Sequence, residues 1–89
     1  CPVFGYAIHG IFELTLAETM KEAFLHFVES TEFHILHCYE VDGGGHIFID
    51  AHFNGDDSMH AFMEVLSSYG TPVMHPVVTE IHGQHPVDE

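Results

Sequence analysis

Apolar and polar residues alternate along four stretches of the chain, the pattern of a strand with one buried face. In chain order these stretches are VFGYAIHGIFEL, EFHILHCYEV, HIFIDAHF and PVVTEIHG. Asp42 and three glycines separate the second stretch from the third, and such residues tolerate the positive φ of a tight turn. The pattern therefore predicts four strands, of which the second and third form a hairpin.

Two other stretches repeat apolar residues at steps of three and four, which is the spacing of an amphipathic helix. The first, TLAETMKEAFLHFVES, begins at Thr15 with Glu18 three residues later, the spacing of a capping box. The second, GDDSMHAFMEVLSSYG, ends at Gly70, and Pro72 and Pro76 then predict a loop before the fourth strand. The order β-α-β-β-α-β predicts a ferredoxin-like α+β fold, in which two helices cover one face of a four-stranded antiparallel sheet.

The composition indicates one small domain, residues 1–89, that could bury more hydrophobic surface by association with a partner subunit. Hydrophobic residues make up 46% of the chain, and a homodimer is one economical way to bury so many in so short a chain. No apolar run reaches the roughly 18 residues of a membrane span, and no basic signal segment is present. The two cysteines, Cys1 and Cys38, do not suggest a disulfide framework. We expect a cytoplasmic protein with no membrane partner.

The charge balance excludes one class of partner. Lys21 is the only basic residue besides ten histidines, against fourteen acidic residues, and the formal net charge is −13. A protein that binds nucleic acid needs a basic patch, which this chain cannot build. Histidines titrate between about pH 5 and 8, so solubility and association should depend on pH in that range.

The element order and three segments resemble the dimeric α+β barrel superfamily, which includes the antibiotic-biosynthesis monooxygenase-like and muconolactone isomerase-like families. The segments are FVESTEFHILHCYEV, HIFIDAHFNGDDSMHAFM and HPVVTEIHG, and the resemblance covers nearly the whole chain. It implies that two ferredoxin-like sheets pack face to face and enclose a lumen. The chain has no Arg for bidentate recognition of carboxylates, so neither haem degradation nor muconolactone isomerisation is expected of it.

If the apolar sides of the strands face the helices, histidines and acids share the opposite face. The residues predicted there are His9, His34, Cys38, Glu40, His46, Asp50, His52, Glu80 and His82. The residues predicted to bind a ligand are His9, His34, Cys38, Phe48, Asp50, His52 and His82. The phase of the second strand depends on the glycine turn, since a shift of one residue would turn its side chains to the other face.

Three functions remain open for this face. The leading one is binding of a small, mostly apolar ligand, fatty-acid-like or aromatic, in the lumen of a homodimer, with no cofactor required. The second is a divalent-metal site at His9, Asp50 and His52, because two imidazoles and a carboxylate form a recognised ligand set. The third is a cofactor-free oxygenase or isomerase, in which His9 or His52 is the general base and Asp50 orients the imidazole.

Overall fold

A computed structural model describes residues 8–83 of the chain. Within them the elements are strand β1 (Ile8–Leu16), a 3-10 turn (Glu18–Met20), helix α1 (Lys21–Ser30), strands β2 (His34–Val41) and β3 (His46–Phe53), helix α2 (Asp56–Ser67) and strand β4 (Gly70–Pro76). This order confirms the predicted β-α-β-β-α-β arrangement. The four strands form one antiparallel sheet in the order β2-β3-β1-β4, which is the ferredoxin-like topology.

The core lies between the two helices and one face of the sheet. The central strands β1 and β3 alternate between buried and more accessible residues, because a strand turns successive side chains to opposite faces. The buried residues are Phe12, Leu14, Leu16, Phe24, Ile47, Ile49, Ala51, Phe53, Phe62 and Leu66. No polar or charged residue in the described part of the chain is buried with them, so the core is held by apolar packing.

The fourth strand is formed by a different segment from the one predicted. β4 spans Gly70–Pro76 and pairs with β1, so it contains both prolines that were expected to mark a loop. Proline lacks an N–H donor, but an edge strand pairs on one side only and can therefore include it. The predicted strand PVVTEIHG was wrong, since residues 77–83 form no strand and Val78 and Ile81 there are 91% and 94% exposed.

The predicted capping box at Thr15 and Glu18 was also wrong. β1 continues to Leu16, and Thr15 is a strand residue paired with both β3 and β4. α1 begins only at Lys21, after the 3-10 turn, and no side-chain hydrogen bond caps it. Pairing with strands on both sides outweighs the local signal for a helix start, as tertiary contacts commonly do.

A β-bulge in β2 changes which side chains face the helices. The pairing with β3 slips at Leu36, which has no partner residue, and one extra residue reverses the direction of the side chains that follow. Cys38 thereby joins the half-buried residues that pack on the core, and Oε2 of Glu40 lies 3.1 Å from Nζ of Lys21 on α1. The prediction that Cys38 and Glu40 lie on the histidine-bearing face was wrong.

Gly70 lies directly against β1, where a larger residue would not fit. A Cβ atom at this position would overlap the carbonyl oxygen of Thr15 and lie 2.9 Å from the carbonyl carbon, so the two backbones would have to separate. We expect Gly70→Ala to lower the free energy of unfolding by about 1–3 kcal/mol, the usual cost of overpacking. Urea unfolding followed by circular dichroism measures this loss.

Gly44→Ala is the matched control for this substitution. The nearest atom to a Cβ at Gly44 is Oδ1 of Asp42 at 3.5 Å, an ordinary contact distance, and its backbone is not in the left-handed region. The control should therefore change the free energy of unfolding by less than about 0.5 kcal/mol. Equal losses in the two variants would contradict the close approach of β4 to β1.

Candidate functional site

The face of the sheet away from the helices, the open face, carries most of the histidines. Its residues are His9, Ile11, Glu13 and Thr15 of β1; His34, His37, Tyr39 and Val41 of β2; His46, Phe48, Asp50 and His52 of β3; and Thr71, Val73 and His75 of β4. Six of the nine histidines among residues 8–83 belong to this set, together with two carboxylates and no lysine or arginine. The open face is thus a layer of imidazoles set among apolar side chains.

Each carboxylate of the open face has an imidazole beside it. Nε2 of His9 forms a hydrogen bond with Oδ1 of Asp50, and Nε2 of His75 lies 3.5 Å from Oε1 of Glu13. An ionised carboxylate only accepts hydrogen bonds, so His9 donates through its Nε2–H, and Asp50 fixes this tautomer. Neutral His9 then keeps Nδ1 as an acceptor.

Three histidines, the histidine row, cross the sheet at one end of the open face. His52 of β3 is the Cα partner of both His34 on β2 and His9 on β1. The rings of His9 and His52 meet edge to face with centroids 4.3 Å apart, and the rings of His34 and His52 stack at 5.9 Å. Strand register brings these three rings together, because they come from three different strands.

The surroundings of His52 keep this ring neutral. Burial lowers the pKa of His52 from its usual value of 6.5, and the neighbouring His9 and His34 lower it further, because protonated rings would repel one another. Asp50 acts in the opposite direction and raises the pKa of His52 without reversing the net shift. At pH 7 His52 is therefore a neutral imidazole that can accept a proton or a hydrogen bond.

The lowered pKa of His52 predicts that acid weakens the fold. The unfolded chain binds a proton at His52 more readily than the folded chain, so stability falls as the pH drops below about 6.5 and stops falling below the folded-state pKa. We expect His52→Asn to reduce the loss in free energy of unfolding between about pH 7.5 and 5.5. Urea unfolding at both pH values measures the loss, with the exposed His60→Asn as control. The same loss in the His52 variant as in the parent chain would refute the prediction.

A cleft with a volume of 470 Å³ opens beside the histidine row. It is lined by Thr31, Glu32, Phe33, His34, His52, Phe53, Asn54 and Ser58. The α1–β2 connection, the ends of β2 and β3, and the first turn of α2 each contribute to this lining. The cleft therefore reaches from the open face to the edge of the helix layer, and its volume is in the range of small-molecule sites.

Five of the residues predicted to bind a ligand share the open face. His34 and His52 also line the cleft. His9 touches both Asp50 and the ring of His52. Phe48 lies two residues before Asp50 on β3 and is partly buried. The structure thus brings most of the predicted ligand residues onto one surface, with the histidine row at the end where the cleft opens.

Two predicted ligand residues lie elsewhere. Cys38 packs on the helix side of the sheet because of the bulge, and burial raises the pKa of its thiol. His82 lies in the exposed segment after β4 and belongs to no strand. The predicted placement of His82 and of Glu80 on the sheet face was therefore wrong, for the same reason as the predicted fourth strand.

Sequence reasoning missed the loop residues of the cleft, of which Thr31, Asn54 and Ser58 are the clearest cases. Oγ1 of Thr31 accepts a hydrogen bond of 3.2 Å from the N–H of Phe33 and so shapes the entry into β2. All three polar residues lie at or beside connections between helices and strands, where binding residues are common. Their position in connections was the only sign in the sequence that these residues could bind a ligand. Which connections lie at the same end of the sheet depends on the register of the strands.

The predicted metal ligands do not converge in this conformation. Among residues 8–83, no three side chains of His, Cys, Asp or Glu are arranged so that they could hold one ion. His9 and Asp50 form a hydrogen bond with each other, and His52 contacts the His9 ring. A metal site at His9, Asp50 and His52 stays a prediction based on the sequence.

None of the helices within residues 8–83 has the length and apolar character that crossing a membrane requires. Comparison with known proteins identifies no family, since no family model, no curated protein and no solved structure matches the chain significantly. The features of the chain that bear on its function are the open face, the histidine row and the cleft.

Proposed function

We propose that two copies of the chain pair through their open faces and bind a small, mostly apolar ligand, fatty-acid-like or aromatic, beside the histidine row. One observation carries the proposal: the 470 Å³ cleft is lined by His34 and His52 at the edge of a sheet face that no described element covers. Polar groups that converge in a cleft beside aromatic side chains are a common feature of small-molecule sites.

Apolar exposure on the open face supports a second copy as its cover. Tyr39 and Val73 are 56% and 48% exposed. On the central strands, Ile11 and Phe48 are only partly buried. Accessible apolar side chains on a sheet face are a common feature of interfaces, and a sheet usually buries each of its faces against another layer.

The distribution of acids also favours this face for self-association. Ten of the twelve acidic residues among residues 8–83 lie off the open face, so two copies repel each other through their helix sides. The two acids on the open face, Glu13 and Asp50, each have an imidazole beside them. A two-fold contact between open faces therefore brings together the least negative surfaces of the two copies.

Native mass spectrometry of freshly purified protein tests both parts of the proposal. We expect a mass near twice the 10.0 kDa of one chain, with an additional organic mass that is released on denaturation. A bare dimer after purification and after incubation with apolar compounds would contradict ligand binding. A monomer at micromolar concentration would contradict the pairing of open faces.

Acid is expected to dissociate the proposed dimer. Burial and the neighbouring His9 and His34 lower the pKa of His52, so this ring is neutral at about pH 7.5, and its protonation in more acidic solution would place positive charges on the two facing surfaces, which then repel. The acids on the helix sides attract these charges only weakly, because the Debye length is about 8 Å at physiological salt. Sedimentation equilibrium at about pH 7.5 and about pH 5.5 should show a rising dissociation constant, whereas tighter association at the lower pH would contradict this prediction.

One observation favours a second function, which is cofactor-free oxygenation or isomerisation of the bound molecule. The hydrogen bond from His9 to Asp50 fixes one tautomer and leaves Nδ1 able to accept a proton from a substrate. The test is to return the molecule released from the dimer to the apo protein and to follow its conversion by mass spectrometry. Conversion that is lost in His9→Gln supports this function, and an unchanged molecule contradicts it.

A further inference from the structure

None of the residues that line the cleft within residues 8–83 carries a permanent positive charge. Lys21 is the only lysine or arginine of the chain, and it pairs with Glu40. Glu40 and the cleft residue His34 are six positions apart on β2, or about 20 Å at 3.3 Å per residue. Glu32, an acidic residue, is itself part of the cleft lining. An anionic ligand would therefore lose water without gaining a cation, which is costly.

Contacts among the histidines oppose the formation of a cation beside the cleft. His34 and His52 stack at 5.9 Å, and His9 meets His52 at 4.3 Å, so protonation of one ring opposes protonation of the next. The carboxylate nearest to this row, Asp50, is already hydrogen bonded to His9. Of the three rings, His52 has a lowered pKa and is neutral at pH 7, so it presents one acceptor nitrogen and one N–H donor to the cleft end of the sheet rather than a cation.

The remaining polar groups of the lining add further acceptors. The carboxylate of Glu32 accepts only, while the side chains of Asn54 and Ser58 can accept as well as donate. Phe33, which is partly buried, supplies the accessible apolar part of the lining, since Phe53 is 1% exposed and belongs to the core. The complementary molecule has an apolar body and a polar end that donates hydrogen bonds.

We propose that the cleft selects against anions and binds an amphiphile whose polar end is a hydrogen-bond donor without negative charge, an alcohol or an amine. This inference rests on the proposed ligand-binding function and narrows its ligand class. It excludes fatty-acid anions at neutral pH, although their apolar chains would suit the site. Acid reverses this selectivity in part, because protonated imidazoles can then pair with a carboxylate.

Three probes with the same alkyl chain test the inference: 1-octanol, n-octylammonium and octanoate, each below its micellar concentration. Histidine-ring NMR signals of the purified protein are followed at about pH 7.5. We expect saturable shifts of the His34 and His52 signals with octanol or octylammonium, and at least about tenfold weaker binding of octanoate. Binding of octanol alone identifies a site for alcohols. Binding of octylammonium that becomes weaker in the Glu32→Gln variant identifies a site for amines.

Two matched variants test whether the probe binds in the cleft. His52→Gln should weaken binding of the preferred probe, and the exposed His60→Gln on α2 should leave it unchanged. Octanoate that binds as tightly as octanol and octylammonium at about pH 7.5 would overturn the inference but leave ligand binding intact. Binding unaffected by His52→Gln would also overturn it. If none of the three probes binds, the inference fails, and so does the alkyl-chain form of the proposed function.

Discussion

Ile11→Glu is expected to convert the proposed dimer into a monomer that keeps its fold. Ile11 lies on the central strand β1, paired with Asp50 on β3 and with His75 on β4. A two-fold interface between open faces would bury two copies of the new carboxylate, with no lysine or arginine on either face to pair with them. An uncompensated buried charge costs about 3–5 kcal/mol, so the dimer dissociation constant should rise at least about 100-fold.

Sedimentation equilibrium at about pH 8, where the imidazoles are neutral, measures this change, and far-ultraviolet circular dichroism checks the fold. Leu25→Glu is the matched control, because Leu25 is an equally apolar residue on the outside of α1 and is 51% exposed. The control should leave the dissociation constant unchanged. A folded Ile11→Glu variant that still dimerises with the parent affinity would rule out the open face as the interface.

The sequence was sufficient to predict the two central strands and the topology. On β1 and β3 every second residue is apolar, so the buried face of each strand is unambiguous. The glycine turn was equally predictable from the sequence. Asp42, Gly43 and Gly45 all have positive φ, between 47° and 83°, and glycine and aspartate adopt this conformation at the lowest energetic cost. With two helical stretches between these strands, few other arrangements bury all the apolar faces.

The edge strands were predicted less well, because one of their sides is free. In β4, Pro72 and Pro76 were interpreted as breakers, but an edge strand lacks one partner and accepts them. In β2, alternation from Phe33 to Val41 seemed unbroken, and the unpaired Leu36 gave no sign of a bulge. Local patterns cannot reveal such a slip, since pairing with β3 determines it.

The candidate site could be predicted only in part, because some of its residues lie on the central strands and others lie in connections. His9, Asp50 and His52 come from the well-defined central strands, and their expected proximity was found. The cleft combines Thr31 with Ser58 and two strand ends, and only the tertiary structure determines that these segments meet. The charge of the cleft depends on where the single lysine of the chain lies, and the structure places Lys21 beside Glu40, away from the cleft.

Phe62→Ala is expected to destabilise the fold more than any other substitution considered for the core. Phe62 is fully buried on α2, and its ring centroid lies 5.0 Å from those of Phe12 and Phe33 and 5.4 Å from that of Phe53. Truncation of a buried phenylalanine costs about 3–5 kcal/mol. A domain of 89 residues has only about 4–13 kcal/mol of total stability, so the variant should be marginally folded at best.

Urea unfolding at one fixed protein concentration measures this loss, because the stability of a dimer depends on concentration. Met63→Ala, at the next position on α2, removes a side chain that is only partly buried against the same core and should cost less than about 2 kcal/mol. Phe62→Leu keeps an apolar side chain in place and should lose less than Phe62→Ala. If Phe62→Ala costs no more than Met63→Ala, the aromatic cluster does not join α2 to the sheet, and the helix side of the fold is held by other contacts.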